Sequence, residues 1–132
     1  MWLRNAYLYT RLQRLVEAAP EGSIAPGALG DVLAQVFAFR AQSRGTQYRM
    51  AAGEHLGPET SVDKILLSTT EQAVFDLAAE ALADSVLFGD DDESANWRSE
   101  FLYSRAATIY GGSVEIQRNI VARRLLDLGA ES

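Results

Sequence analysis

Apolar residues recur along most of the chain at the three- and four-residue spacing of an amphipathic helix, and no segment shows the alternation of a half-buried strand. The spacing predicts five helices, over residues 2–19, 31–52, 60–85, 95–109 and 114–128. Proline and glycine lie in the breaks between these segments. The sequence therefore predicts an all-α fold, an up-and-down helical bundle of about five helices.

Small polar residues mark the starts of several of these helices. Asp31 is predicted to cap or to open the second helix, and Ser94 and Ser113 are predicted to cap the fourth and fifth helices. Gly129 is predicted to end the last one. The first helix begins at residue 2 with no cap, which suggests the remainder of a longer helix. Gly45 lies inside the second helix, where it either marks close packing or is tolerated at a cost of about 1 kcal/mol relative to alanine.

The apolar stripe of each helix identifies the residues expected to be buried. The stripes, with the small polar residues in register with them, are Leu3, Tyr7, Leu8, Leu12, Leu15 and Val16 in the first helix; Val32, Leu33, Val36, Phe37, Phe39, Ser43, Thr46, Tyr48 and Met50 in the second; Val62, Ile65, Leu66, Thr69, Ala73, Leu77, Ala81 and Val86 in the third; Trp97, Phe101, Leu102 and Ile109 in the fourth; and Ile116, Ile120, Val121 and Leu125 in the last.

Composition and charge narrow the classes of function. The chain has 132 residues, 48% of them hydrophobic, which suits one globular domain with a core. A net charge of −6 offers no basic surface to nucleic acid or to anionic lipid. There is no cysteine, so disulfides and thiolate chemistry are excluded. No apolar run is long enough to span a membrane, and we expect a cytoplasmic protein.

Two polar features are weak candidates for a metal site. His55 is the only histidine and lies in a predicted loop without a second ligand nearby in sequence. The acidic run at residues 90–93 lacks the spacing and the turn glycine of a calcium loop. We therefore expect no metal site, and we expect the acidic run to form a solvated, mobile loop.

The sequence YGGSVE at residues 110–115, called the elbow below, joins the fourth and fifth helical patterns. Glycine permits a positive φ and lets another group approach without meeting a Cβ atom. The helix start that follows offers unpaired N–H groups, and Glu115 falls in its first turn. From the residues alone, the elbow is either a plain connection or a place where a polar cofactor edge can bind.

Residues 104–124 read SRAATIYGGSVEIQRNIVARR. This segment resembles the C-terminal signature of the acyl-CoA dehydrogenase family, roughly RDA-x-IYEGTSEIQRNIIA-x-R, without gaps. Residues 53–64, GEHLGPETSVDK, are similar to a second motif of that family, G-x-x-x-GPE-x-S-x-x-K. The resemblance covers the elbow, the start of the third helix and the helical pattern between them.

The resemblance implies that residues 1–132 form the C-terminal four-helix-bundle domain of this family, with its first helix shortened and without the N-terminal and β domains. Family members remove the α-proton of an acyl-CoA thioester and transfer a hydride from Cβ to FAD. Their bundle supplies one wall of the flavin site and contacts a neighbouring subunit. FAD is therefore expected only in an assembled complex, with a second copy or a partner dehydrogenase subunit.

By the same resemblance, Tyr110, Gly112, Ser113 and Glu115 are expected to contact the flavin. Gly111 occupies the usual position of the catalytic glutamate, so no catalytic residue is predicted. Relatives with the glutamate on the first helix carry it before the point where this sequence starts, and Glu17 lies about four turns further along that helix. Glu115 as a substitute base is the remaining alternative.

Two classes of function stay open. One is a domain or subunit of a flavin-dependent acyl-CoA dehydrogenase that acts on fatty-acid, steroid or other bulky CoA esters, without turnover by itself. The other is a non-catalytic helical interaction subunit that has lost flavin chemistry. A shortened bundle also predicts exposed apolar faces, and therefore association with itself or with a partner.

Overall fold

The computed structural model describes residues 3–129, and these form an all-α bundle with no strand in that range. Six α-helices and a terminal π-helical turn follow one another along the chain. They are α1 (Arg4–Ala18), α2 (Pro26–Ala51), α3 (Thr60–Ala81), α4 (Ala83–Phe88), α5 (Asp92–Ala106), α6 (Val114–Ile120) and the π-helical turn (Val121–Leu125). The predicted fold class is confirmed, while residue 2, the predicted start of the first helix, lies outside the described residues.

Helix α3 is the centre of the bundle because it packs against α1, α2, α5 and α6. Its core residues Leu67, Val74 and Phe75 are buried among side chains of the surrounding helices. Phe75 contacts Trp97 of α5 edge to face, with ring centroids 6.1 Å apart. Twelve of its 22 residues are buried, and contacts with several helices explain why small residues and hydroxyls are frequent among them.

Helix α2 begins five residues earlier than predicted. Pro26 occupies its first turn, where a missing N–H and a fixed φ fit a helix start. Asp31 therefore lies inside the helix and is exposed, so the predicted cap at this position is wrong. Gly45 is the tolerated alternative, because a Cβ atom added there would meet nothing within 4 Å.

The long third helix is interrupted, which makes six helices rather than five. Leu82 adopts φ −114° and ψ 30°, outside the helical region, and α4 starts directly after it. The apolar period continues through the interruption, since Leu82 and Val86 are both buried. Periodicity alone could not locate the break.

Helix α5 begins at Asp92, and Asp91 rather than Ser94 is its N-cap. The Asp91 carboxylate accepts hydrogen bonds from the Ser94 amide at 3.0 Å and from the Ser94 hydroxyl at 2.6 Å. Glu93 lies in the first turn and pairs with Arg11 of α1 at 3.6 Å. Residues 90–93 are exposed, as predicted, but the run is a capped helix start tied to α1 and not the predicted mobile loop.

The carboxy-terminal helix is shorter and more exposed than its pattern predicts. α6 ends at Ile120, and the π-helical turn carries the chain to Leu125, short of the predicted end at residue 128. Gly129 has a φ of +75° but follows this turn rather than a continuous α-helix. Ile116 and Leu125, expected in the core, are exposed.

Apolar side chains on three other helices are also exposed, as the shortened-bundle hypothesis predicts. Phe37 of α2 is 53% exposed, Phe88 of α4 is 76% exposed, and Leu102 of α5 is 63% exposed. Leu3, Val16, Leu33, Tyr48, Met50 and Ile109, predicted to be buried, are exposed as well. These surfaces are available to further protein.

Candidate functional site

The elbow is a tight turn whose backbone conformation requires its two glycines. Gly111 has a φ of +67° and Gly112 a φ of +96°, which side-chain-bearing residues rarely adopt. A Cβ atom added at Gly112 would lie 2.6 Å from the Nε2 atom of Gln117. Gln117 also donates a hydrogen bond to the Gly111 carbonyl at 3.1 Å, so its side chain braces the turn.

Ser113 caps α6, as its position predicts. Its hydroxyl oxygen accepts a hydrogen bond from the Ile116 amide at 3.4 Å. The Val114 amide donates to the Thr108 carbonyl at 3.1 Å, which closes the turn between α5 and α6. The turn is therefore held by the backbone and by polar side chains at both of its ends.

A cavity of about 460 Å³ opens where the elbow, α1, α3 and α5 meet. Most of its side chains carry hydrogen-bond donors, while aromatic rings and Leu67 supply apolar surface. The lining residues are Arg4, Thr60, Lys64, Leu67, Tyr103, Tyr110, Gly111 and Gln117. Two other cavities in the described part of the chain have a comparable volume, and neither is lined by elbow residues.

A buried carboxylate ties three elements together beside this cavity. Glu71 of α3 is 0% exposed and accepts two hydrogen bonds from the guanidinium of Arg4, one of them from Nε at 3.0 Å. Its other oxygen lies 3.5 Å from the Tyr110 hydroxyl, a long hydrogen bond. Arg4 also donates to Glu100 of α5 at 2.9 Å. Ion pairs of Arg4 therefore link α1 to α3 and α5, and the hydrogen bond of Tyr110 links the elbow to the same carboxylate.

Lys64, seven residues before Glu71 on α3, also reaches the elbow. Its Nζ atom donates a hydrogen bond to the Ala107 carbonyl at 2.6 Å and lies 4.0 Å from the centroid of the Tyr110 ring. Only 6% of Lys64 is exposed, and no ion pair involves it among residues 3–129. The end of α5 and the tyrosine of the elbow therefore share one buried cation.

Burial shifts the protonation equilibria at the site. Desolvation lowers the pKa of Lys64, and the negative charge of Glu71 opposes this shift only in part. Desolvation and Glu71 together raise the pKa of Tyr110 to about 12, so its hydroxyl stays protonated and remains a donor. Hydrogen bonds from its own backbone amide and from Ser113 lower the pKa of Glu115, which is exposed and ionised at neutral pH.

The structure separates the four predicted flavin-contacting residues into two groups. Tyr110 lines the cavity together with Gly111. Gly112 and Ser113 are half-buried and Glu115 is exposed, and none of these three lines the cavity. The elbow therefore presents one face to the cavity and another to the outside of the described bundle.

None of the candidate carboxylates is set up as a free base in the cavity. Gly111 has no side chain, and Glu17 lines a different cavity with Phe37. Glu115 is not among the residues that line the cavity, and Glu71 is fully buried against Arg4. The expectation that this chain supplies no catalytic residue stays a prediction.

Sequence reasoning named Lys64 only as a motif letter and missed Arg4 and Glu71. A signal for Lys64 was present, because it is the only lysine among twelve lysine and arginine residues. Glu71 carried no such signal, since a glutamate in a helix is ordinarily a solvated residue. Only the packing of α1 against α3 reveals its burial.

Other classes of site find little support in residues 3–129. No three histidine, cysteine, aspartate or glutamate side chains in this range come together as metal ligands. His55 is exposed in the loop before α3. Within the same range, no helix has both the length and the hydrophobicity required of a membrane span.

Comparison with known proteins points to one family. The family model described as acyl-CoA dehydrogenase, C-terminal domain, matches residues 7–126. The chain is similar to the acyl-CoA dehydrogenase IpdE1 of Mycobacterium tuberculosis, with 38% identity over 74 residues, 56% of this chain and 19% of that protein. It is also 38% identical over 73 residues to IpdE1 of Mycolicibacterium smegmatis, covering 55% of this chain and 19% of that relative.

The aligned regions amount to about a fifth of the length of these curated relatives, at 19% of each. A comparison with solved structures gives no significant match.

Proposed function

This chain belongs to the acyl-CoA dehydrogenase family, as its C-terminal domain, and on that premise we propose that it supplies one wall of the flavin site in an assembled acyl-CoA dehydrogenase. Family members generally bind FAD and assemble as oligomers. Residues outside this sequence would then provide the rest of the site, either in the same polypeptide or in a partner subunit.

The observation that carries the proposal is the two-glycine elbow beside a donor-lined cavity. Gly111 and Gly112 leave backbone rather than side chain on the surface of the turn, so a planar ring can approach closely. Tyr110 and Lys64 place donors on the cavity side. Negative charge that develops on a ligand in this cavity would be favoured by such preorganised donors.

The residues on the outer face of the elbow fit other parts of FAD. The Ser113 hydroxyl can donate or accept a hydrogen bond, and the ionised Glu115 carboxylate is an acceptor. A carboxylate suits the hydroxyl or N–H groups of a flavin better than the ring edge that becomes negative on reduction. We therefore assign Ser113, Glu115 and the backbone of Gly112 to flavin binding on the outer face, and Tyr110 to the surface that faces the ring from the cavity.

In the proposed complex, bound FAD would accept the hydride that leaves the substrate. This chain's own residues would orient the ring, exclude water and hold donors in place. Proton removal from the α-carbon requires a carboxylate within hydrogen-bond reach of that atom. Because Gly111 offers none and Glu71 is already bound by Arg4, the base would come from outside this sequence.

The test compares flavin content in the complex formed by co-expression with a dehydrogenase encoded beside this chain. Ser113→Ala combined with Glu115→Ala should lower the flavin absorbance of the purified complex while circular dichroism keeps the helical content. Arg124→Ala, an exposed change further along the same segment, is the matched control. Equal flavin retention in all three proteins would remove Ser113 and Glu115 from the site.

A second candidate function is a non-catalytic interaction subunit, favoured by the exposed apolar faces and by Gly111. The visible absorption spectrum distinguishes the two. Flavin with the partner only, or in a self-assembled form, supports the first function. A tight complex that forms without any flavin supports the second, and light scattering that finds a monomer at tens of micromolar would contradict the association that both require.

A further inference from the structure

We infer that Lys64 is a positioning residue, whose ammonium fixes the elbow against α3 and thereby sets the surface that the elbow presents to the flavin. The part of this inference that concerns flavin rests on the proposed function, whereas the part that concerns the elbow does not. Lys64 is the only lysine of the chain and reaches the turn from a central, well-packed helix.

Lys64 contacts the turn at three successive places. Its Nζ atom donates to the carbonyl of Ala107, the first residue after α5. The same atom lies over the ring of Tyr110, and its Cε atom lies 3.7 Å from where a Cβ atom of Gly111 would stand. One side chain therefore touches both the beginning of the turn and the beginning of the elbow.

The contact with Ala107 satisfies a group that the helix leaves open. Carbonyls in the last turn of a helix have no partner within the helix, and a cation near that end also interacts favourably with the helix dipole. Ala107 is fully buried, so its carbonyl cannot turn to water instead. Without Lys64, this carbonyl would keep no hydrogen-bond donor in its present position.

A structural ion pair does not explain the lysine. Its charge is buried, and burial lowers its pKa because the protonated form is disfavoured there. Glu71, the nearest carboxylate acting on it, is occupied by Arg4. The chain has twelve lysine and arginine residues, and all of them except Lys64 are arginines.

A compact ammonium fits this position better than a guanidinium. The carbonyl at 2.6 Å and the ring at 4.0 Å are met by one nitrogen atom, whereas the guanidinium is a broad planar fork. The position of Tyr110 then depends on both of its neighbours, the Glu71 carboxylate at its hydroxyl and the Lys64 ammonium at its ring. Lys64 acts on the flavin surface only through these groups.

The absence of cysteine permits a chemical-rescue experiment on the full 132-residue chain. Lys64→Cys is unfolded, alkylated with 2-bromoethylamine to restore an ammonium at the lysine length, and refolded. The matched control is the same protein alkylated with 1-iodopropane, which places a methyl group where the ammonium would be. Backbone amide resonances of Gly111 and Gly112 report the elbow, and circular dichroism reports the bundle.

We expect the aminoethyl protein to reproduce the wild-type amide shifts at residues 107–112. The propyl protein should show its largest shift changes in that segment, with unchanged helical content. If the Gly111 and Gly112 resonances of the two alkylated proteins coincide, the inference is wrong. Lys64→Met, made without alkylation, repeats the comparison should refolding of either alkylated protein fail.

The flavin readout uses the complex assembled with a partner dehydrogenase. Loss of a charged hydrogen-bond anchor predicts about tenfold weaker FAD retention for the propyl protein than for the aminoethyl protein. Equal retention despite a displaced elbow would overturn the flavin part of the inference. If the complex forms without any flavin while the elbow still depends on the ammonium, the proposed function fails and the elbow part stands.

Discussion

Removal of the Glu71 carboxylate is the sharpest test of how the cavity is held together. Glu71→Leu replaces the carboxylate with an apolar side chain of similar size in a site that is fully buried. It leaves the guanidinium of Arg4 with Glu100 as its remaining carboxylate partner and the Tyr110 hydroxyl without an acceptor. We expect the chain to fold but to be clearly destabilised.

The expected loss can be estimated from the exposure of the two partners. Breaking a buried ion pair by removing one partner costs about 3–5 kcal/mol. Here the Arg4 side chain is 25% exposed and keeps its bond to Glu100, so solvent and the second carboxylate offset part of that cost. We therefore expect a loss of about 2–3 kcal/mol, just below that range, because one member of the pair is partly solvated.

The assay is urea unfolding followed by circular dichroism, with a double-variant cycle. Arg4→Met together with Glu71→Leu should be less destabilised than Glu71→Leu alone, because no uncompensated charge is left near the cavity. Glu54→Leu is the control, since the Arg49–Glu54 pair is about half exposed on both sides and should contribute little. Two results would show that the Glu71 carboxylate does not hold Arg4 and Tyr110 together. One is that Glu71→Leu unfolds at the same urea concentration as wild type, and the other is that the double variant is less stable than Glu71→Leu.

Two further predictions concern the backbone at the start of α5 and at the elbow. Asp91→Ala should lower the urea midpoint while Asp91→Asn keeps most of the cap. Hydrogen bonds from Ser94 lower the pKa of Asp91, so its ionised carboxylate stabilises the folded chain. The difference in urea midpoint between wild type and the alanine variant should therefore shrink as the pH falls below about 4. A difference that stays constant with pH would contradict the assignment of Asp91 as the N-cap. Gly112→Ala should destabilise the chain by about 1–3 kcal/mol because Gly112 has a positive φ. Gly45→Ala lies in open space within a helix and should stabilise the chain by up to about 1 kcal/mol. Equal effects of the two substitutions in the same unfolding assay would refute the strain argument.

The helices could be predicted from sequence because their apolar period is strong, but their ends depended on chemistry that periodicity does not carry. Pro26 starts α2 where glycines and alanines on either side suggested a loop. Asp91, rather than the following serine, caps α5 because its carboxylate reaches the Ser94 amide and hydroxyl together. Leu82 breaks the third helix while remaining buried, so its apolar character concealed the break.

The elbow could be located from sequence, whereas its surroundings could not. Two adjacent glycines followed by Ser113 are a local pattern, and the positive φ angles and the N-cap follow from it. The contacts of Glu71 with Arg4 join residues that are far apart in the chain, and no local pattern reports such a contact. The exposure of the apolar stripes could not be predicted for a similar reason. A helical pattern indicates an apolar face that favours burial, but it does not show which part of the protein covers that face.

The surroundings of Gly111 show what a carboxylate at this position would meet in this structure. A side chain at this position would start 3.7 Å from the Cε atom of Lys64 and would require the strained φ of +67°. A carboxylate held there would lie beside an ammonium, which lowers a carboxyl pKa, whereas a general base needs a pKa raised toward neutrality. In this structure, the glycine and the lysine both suit a turn that presents its backbone and a fixed tyrosine to a ligand. Under the proposed function, we therefore expect the proton-accepting group to come from residues outside this sequence.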